Sequence, residues 1–251
     1  MRETHSSIHS TEHTMTTDFS AGPHTRALWQ QVAPIVAKTE ALPFLNQLAD
    51  GSLDPVAFVN YIRQDSVYLV GYARAMALLA AQADNRPDAR FWAESSASAI
   101  SVEEGMHGDL LADTRLAEAC RQLKAGDTPA QASPTTLGYV SFLLATAATE
   151  SYGIGVAGVL PCFWIYAHVG KVLVRRAGAL AADHPYATWI AAYDSDVFDQ
   201  STRHAVGILE KALSLATETE RRRMIGVFEQ ACVYEWHFWA TAHALQGWAL
   251  D

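Results

Sequence analysis

From Ser151 to Gly170 the chain carries no Asp, Glu, Lys or Arg. A helix of that length is about long enough to cross a bilayer. Against that reading the segment holds Gly153, Gly155, Gly158, Pro161, Cys162, Tyr166 and His168. The other account is a helix buried on every side, around which amphipathic helices must pack. The rest of the chain supplies them. Apolar residues recur at helical spacing, no stretch alternates like a half-exposed strand, and no asparagine-glycine hairpin signal appears. The expected fold class is all-α, a soluble helical bundle with no membrane partner.

The punctuation divides the chain into seven or eight helices. One runs from about His24 to Ala49, interrupted near Pro43, because proline in a helix interior clashes with the preceding turn. Asp50-Gly51-Ser52 reads as a loop, and Asp54 then caps a helix with Pro55 at its first position, running to about Ala83. A third covers Pro87 to Leu116, a fourth Thr135 to Thr149, and the apolar one about 152–177. His184-Pro185 opens a helix through Trp189 to Phe198, and two more fill 200–217 and 218–248. No repeat or linker appears, so residues 21–251 are expected to form a single domain. Residues 1–20 are polar, lack the apolar run of a signal peptide, and are expected to be a disordered tail. Within the tail, His5, His9 and His13 fall four apart, and Met15 offers a second possible start.

With 251 residues, half of them hydrophobic, the chain can build a sizeable core. Its net charge of −9 comes from 18 Lys and Arg against 27 Asp and Glu, with no basic block. Binding nucleic acid requires a concentrated positive patch, so that function class is set aside. Cys120, Cys162 and Cys232 are odd in number and far apart, with no CxxC pair. This argues against a disulfide framework or a structural zinc, and for a reducing, cytoplasmic location.

Two helices place a carboxylate where an apolar residue belongs. Phe58, Tyr61 and Ile62 lead to Asp65, followed by Tyr68, Leu69, Tyr72, Met76 and Leu79. Met224, Phe228, Ala231 and Cys232 lead to Glu235, followed by Phe238, Trp239, Ala242 and Leu245. A buried carboxylate is costly unless paired, so each either satisfies a core partner such as Arg63 or Arg74, or works chemically. In the apolar segment Cys162 and Tyr166 share a face. A lone buried cysteine is commonly an inert small hydrophobe. If Pro161 opens a helical segment, first-turn amides would favour a thiolate at Cys162; if it is a mid-helix kink, they would not. Tyr68, Tyr72, Tyr139, Phe163, Trp164, Tyr166, Tyr193, Phe198, Trp236 and Trp239 are either ordinary core or the walls of a slot for a planar heterocycle. Glu104 and His107 have the ExxH spacing of a di-iron bundle, but the second ExxH is missing, so no metal is expected. The glycines at 153, 155 and 158 lack phosphate-loop spacing, and there is no Gly-x-Ser-x-Gly elbow.

Five segments taken together resemble the TenA family, the thiaminase II group on the haem-oxygenase-like helical fold. They are FVNYIRQDSVYL at 58–69, SPTTLGYV at 133–140, LPCFWIYAHVG at 160–170, HPYATWIAAYDSDVF at 184–198 and YEWHFW at 234–239. The resemblance covers about residues 25–248 and implies that Cys162 is the nucleophile, Asp65 holds the pyrimidine and Glu235 moves a proton. It also implies that Tyr68, Tyr139, Tyr166 and, less closely matched, Tyr193 line the substrate site. The implied reaction is hydrolysis of 4-amino-5-aminomethyl-2-methylpyrimidine, or of thiamin, to the hydroxymethyl pyrimidine of thiamin salvage. No cofactor is implied, and the resemblance points to a homotetramer. The alternative is a non-catalytic pyrimidine- or thiamin-binding or regulatory protein on the same fold.

Overall fold

In this computed structural model the described residues are 18–102, 105, 108–125, 130–178 and 183–248. They form seven long helices and four short ones, with no strand among them. The long helices are α1 (Pro23–Glu40), α3 (Pro55–Gln82), α4 (Arg86–Val102), α7 (Pro134–Thr149), α8 (Tyr152–Ala177), α10 (Asp196–Leu215) and α11 (Glu218–His243). The short ones are α2 (Pro43–Asp50), α5 (Gly108–Leu111), α6 (Ala117–Leu123) and α9 (Ala187–Tyr193).

Helix α8 contains the uncharged segment and is the axis of the bundle. It is the one described helix long and apolar enough to cross a membrane, and 89% of its most apolar stretch is buried inside the protein. Helices α1, α2, α3, α7, α9, α10 and α11 all pack against it. Proline and a capping side chain set most of the helix starts, as the sequence indicates. The Asp54 carboxylate accepts from the Val56 amide at 2.8 Å ahead of Pro55, and Ser133 Oγ accepts from the Thr136 amide at 3.1 Å ahead of Pro134. The His24–Ala49 helix is interrupted as expected, with α1 ending at Glu40 and α2 opening on Pro43. Gly51 ends α2 at φ 78°, a left-handed conformation that glycine adopts without steric cost.

Three helices read as continuous are shorter or divided. The stretch 87–116 is divided after Leu111, where Asp113 accepts from the Arg115 amide at 2.8 Å and starts a new 3-10 turn before α6. The stretch 189–198 is split because Ser195 caps α10, accepting from the Phe198 amide at 3.3 Å. The last helix stops at His243, and Leu245 takes φ 52°. Residues 1–17, with His5, His9, His13 and Met15, lie outside the described residues, as do Glu104 and His107.

The boundary of the tail is corrected. Phe19, placed in it by composition, is 1% exposed, and the Arg203 guanidinium stands 4.8 Å from its ring centroid. The chain then enters α1 with the Glu210 carboxylate accepting from the Thr25 amide at 2.7 Å. A single phenylalanine carries no helical periodicity, so its docking is not readable from a polar context. Replacing a fully buried phenylalanine by alanine costs about 3–5 kcal/mol. We therefore expect Phe19→Ala to lower unfolding free energy in urea by roughly 3 kcal/mol; a loss below about 1 kcal/mol would mean that Phe19 does not dock.

Candidate functional site

A cavity of about 320 Å³ opens beside the middle of α8, bounded by α3, α4, α8, α9 and α10. Cys162 and Tyr166 reach it from α8, Asp65 and Tyr72 from α3, and Tyr193 from the last residue of α9. Phe163 and Phe198 complete the aromatic wall. The i, i+4 spacing that put Cys162 and Tyr166 on one face brings both to the same cavity. Cys162 is only partly buried by area because its side chain meets this opening, although protein surrounds it densely on its other sides.

Four of the seven candidate residues therefore line one cavity: Asp65, Cys162, Tyr166 and Tyr193. The other three, Tyr68, Tyr139 and Glu235, are not on its wall and form a buried layer behind it. Tyr139 Oη donates to Glu235 Oε1 at 2.6 Å, and the Tyr139 ring stacks on Tyr234 with centroids 5.0 Å apart. The Tyr68 ring bridges the two layers, 5.0 Å from Tyr139 and 5.3 Å from Tyr72. Its hydroxyl makes no hydrogen bond of good geometry, yet it stands close enough to Cys162 and to Tyr139 to lower the pKa of both. A chain of polar groups thus runs from the sulfur past Tyr68 and Tyr139 to the Glu235 carboxyl. Tyr166 is oriented by Tyr61, whose hydroxyl lies 3.1 Å from its own, and Tyr72 Oη donates to the Val159 carbonyl at 2.9 Å.

The electrostatics favour a site that is protonated at rest. Burial pushes the Glu235 carboxyl up to about 8, with the Tyr139 hydrogen bond opposing and the charge of Asp65 adding to the rise. Burial, then the nearby Glu235 and Asp65 carboxyls, hold the Cys162 thiol well above the ordinary value, while the Tyr68 and Tyr72 hydroxyls pull it back. Pro161 lies inside α8, so no helix N-terminus stabilises a thiolate at Cys162. Burial also keeps Tyr68, Tyr72, Tyr139, Tyr166 and Tyr193 protonated, and therefore available as donors. Among the described residues, no three His, Cys, Asp or Glu side chains come together as metal ligands.

Sequence reasoning missed the fifth wall. Phe91, Glu94, Ser95 and Ser98 of α4 and Ser201 of α10 frame the mouth. The closely spaced serines 95, 96 and 98 were the available signal, since small side chains permit close approach, and Ser96 Oγ donates to the Ala73 carbonyl at 2.8 Å.

Fold and site define a class: an all-α bundle that presents a cysteine and a carboxylate to an aromatic cavity, with a second carboxyl buried behind. The chain belongs to the TENA/THI-4/PQQC family, whose model matches residues 29–245. A relative from Corynebacterium glutamicum, named thiamine biosynthesis multifunctional protein ThiED, is 37% identical over 92% of this chain, which spans only 28% of that protein. The Bacillus subtilis protein named aminopyrimidine aminohydrolase is 27% identical over 82% of this chain and 84% of its own length. Among solved structures, a TenA homologue from P. horikoshii OT3 superposes with a TM-score of 0.75 at 25% identity, over 88% of this chain and 98% of that one. A Shewanella denitrificans domain described as having a heme oxygenase-like fold superposes at 0.64 with 15% identity, over 89% and 93%. The expected all-α, haem-oxygenase-like fold is therefore the observed one.

Glu235 gives a pH prediction. Its folded pKa, about 8, lies above the unfolded value of 4.5, so its contribution to stability is fully present below pH 4.5 and is lost as pH rises through 8. Glu235→Gln removes that dependence. Thermal unfolding should show the variant gaining on wild type between pH 5 and pH 8, by on the order of 3 kcal/mol. Parallel pH profiles would mean that the carboxyl ionises normally.

Proposed function

We propose that this protein hydrolyses 4-amino-5-aminomethyl-2-methylpyrimidine, with thiamin as a second substrate, to the hydroxymethyl pyrimidine used in thiamin salvage. The observation that carries the reading is the meeting of Cys162, Asp65, Tyr166 and Tyr193 on one aromatic cavity with protonated Glu235 behind the sulfur. The names of the Bacillus subtilis and Corynebacterium glutamicum relatives support it. The same reading carries a cytoplasmic homotetramer with no cofactor.

The mechanism follows from the resting charges. An aromatic pyrimidine resists direct displacement at its 5-methylene. Bonding of the Cys162 sulfur to ring carbon 6 breaks aromaticity, with a proton arriving at ring nitrogen 1. Glu235 holds a proton at neutral pH; it gives that proton to the ring nitrogen and regains one from the thiol. Electrons then flow from the 4-amino nitrogen through the carbon 4–carbon 5 bond. They form the exocyclic carbon–carbon double bond and break the bond to the leaving amine, which is bound as its ammonium and departs as ammonia. Asp65, accepting from the 4-amino group, stabilises the positive charge that develops there. Water adds to the exocyclic methylene and its proton is released. The sulfur leaves as ring nitrogen 1 gives up its proton, which restores the thiol, and aromaticity returns, as in covalent catalysis generally.

The test is incubation with the aminomethyl pyrimidine and with thiamin, reading hydroxymethyl pyrimidine formed. Cys162→Ser should keep the fold and ligand binding and lose nearly all turnover; more than a few per cent of the wild-type rate, ~5% or above, would remove the covalent step. Cys120→Ser should remain active. Asp65→Asn should weaken binding by about tenfold to a hundredfold, the worth of a charge-assisted hydrogen bond. Glu235→Gln should instead lower turnover by about a hundredfold or more with little change in binding. Binding without product in the wild type would favour the non-catalytic binder.

A further inference from the structure

Two residues of the cavity wall, Tyr193 and Phe198, stand at the corner between α9 and α10, away from the centre of any long helix. Helix α9 is seven residues long and ends on Tyr193. Such a corner is free to shift unless something fixes it, and the structure shows two attachments to α8 at adjacent residues. At Gly170 the chains meet backbone to backbone: a Cβ there would lie 2.5 Å from the Tyr193 carbonyl oxygen, so only glycine fits. The next residue, Lys171, is 7% exposed and sends its ammonium between two carboxylates, Asp194 Oδ1 at 2.7 Å and Asp199 Oδ2 at 3.0 Å. Asp194 directly follows Tyr193, and Asp199 directly follows Phe198. One cation therefore gathers the residues next to both wall aromatics to a single point.

Stability alone does not account for this arrangement. A buried ion pair is often matched or exceeded by well-packed apolar residues, because desolvation offsets most of the attraction. What three charges with a fixed geometry add is direction. Burial works against the Lys171 charge, but the two carboxylates outweigh it and raise its pKa. The rings they steer pack onto the reactive helix: Tyr193 lies 4.9 Å from Tyr166 and 5.3 Å from Phe198, and Phe198 stacks on Phe163 at 6.3 Å.

We propose that Lys171 is a positioning residue for the planar-ring site: by holding Asp194 and Asp199 together it fixes Tyr193 and Phe198 as the wall near Cys162 and so sets affinity for the ring. The claim about the ring rests on the pyrimidine reading, whereas the claim about the wall does not.

The experiment uses the full chain, with two readings on each variant. The first is KM and kcat on the aminomethyl pyrimidine. The second needs no substrate: the rate at which N-ethylmaleimide labels Cys162, followed by peptide mass spectrometry with buried Cys232 as the internal reference. In Lys171→Met, KM should rise about tenfold with kcat held within about threefold, the pattern of lost binding geometry. Labelling of Cys162 should quicken by about fivefold as the wall loosens, with Cys232 unchanged. The swap Lys171→Glu with Asp199→Lys keeps one cation between two anions and should bring both readings back to within about threefold of wild type. Should Lys171→Met fail to fold, Asp199→Asn takes the same readings, with smaller changes in the same direction. Wild-type-like KM and labelling in a folded variant, or a loss confined to kcat, would overturn the proposal. A wild type without turnover would sink the pyrimidine reading, and the labelling rates would still decide the clamp.

Discussion

Desolvation around the middle of α8 governs both the fold and the site. Helix α8 is apolar on all faces, so it must be enclosed, and α1, α2, α3, α7, α9, α10 and α11 enclose it. Among its polar side chains, Cys162, Tyr166, His168 and Lys171 each meet a specific partner or the cavity. His168 Nε2 pairs with the Glu40 carboxylate at 2.7 Å, Lys171 with two aspartates, and Tyr166 with Tyr61. Cys162 and Tyr166 both face the cavity, the sulfur with ionisable groups around it.

The same desolvation sets the protonation pattern. A carboxyl with a pKa of about 8 and a thiol held well above its ordinary value are both neutral at pH 7, which lets them sit together in a dry interior. A preformed thiolate would be costly there, and no helix terminus is present to offset it. In the proposed reaction, ionisation of the sulfur accompanies ring binding, when the pyrimidine nitrogen offers a place for the Glu235 proton. Tyrosines separate Glu235 from the cavity wall, which keeps water from the carboxyl, and Tyr139 donates to it at 2.6 Å.

Much of this was legible in the sequence. Asp65 and Glu235 stand out because each replaces an apolar residue in a helical stripe, and both prove buried, at 2% and 1% exposure. Their being brought close to Cys162 required three helices to pack, which periodicity does not encode. The proline-led starts of α2, α3 and α7 were readable because proline and capping residues act locally. The breaks at Asp113 and Ser195 were missed because the side-chain caps there lie within otherwise helix-compatible stretches. The mouth residues of α4 were missed because serines and one glutamate on an exposed face look like any solvated surface. Lys171 escaped notice because its two carboxylate partners, Asp194 and Asp199, stand more than twenty residues away and are brought to it only by packing.

The central claim is geometric, and a crystal structure of the protein with bound hydroxymethyl pyrimidine tests it most directly. The account predicts the ring in the cavity beside Tyr166 and Tyr193, with its 4-amino group on Asp65. Ring carbon 6 should lie about 3–3.5 Å from Cys162 Sγ, the separation of a near-attack arrangement. A ring bound with carbon 6 turned away from the sulfur, or bound elsewhere on the protein, would contradict it.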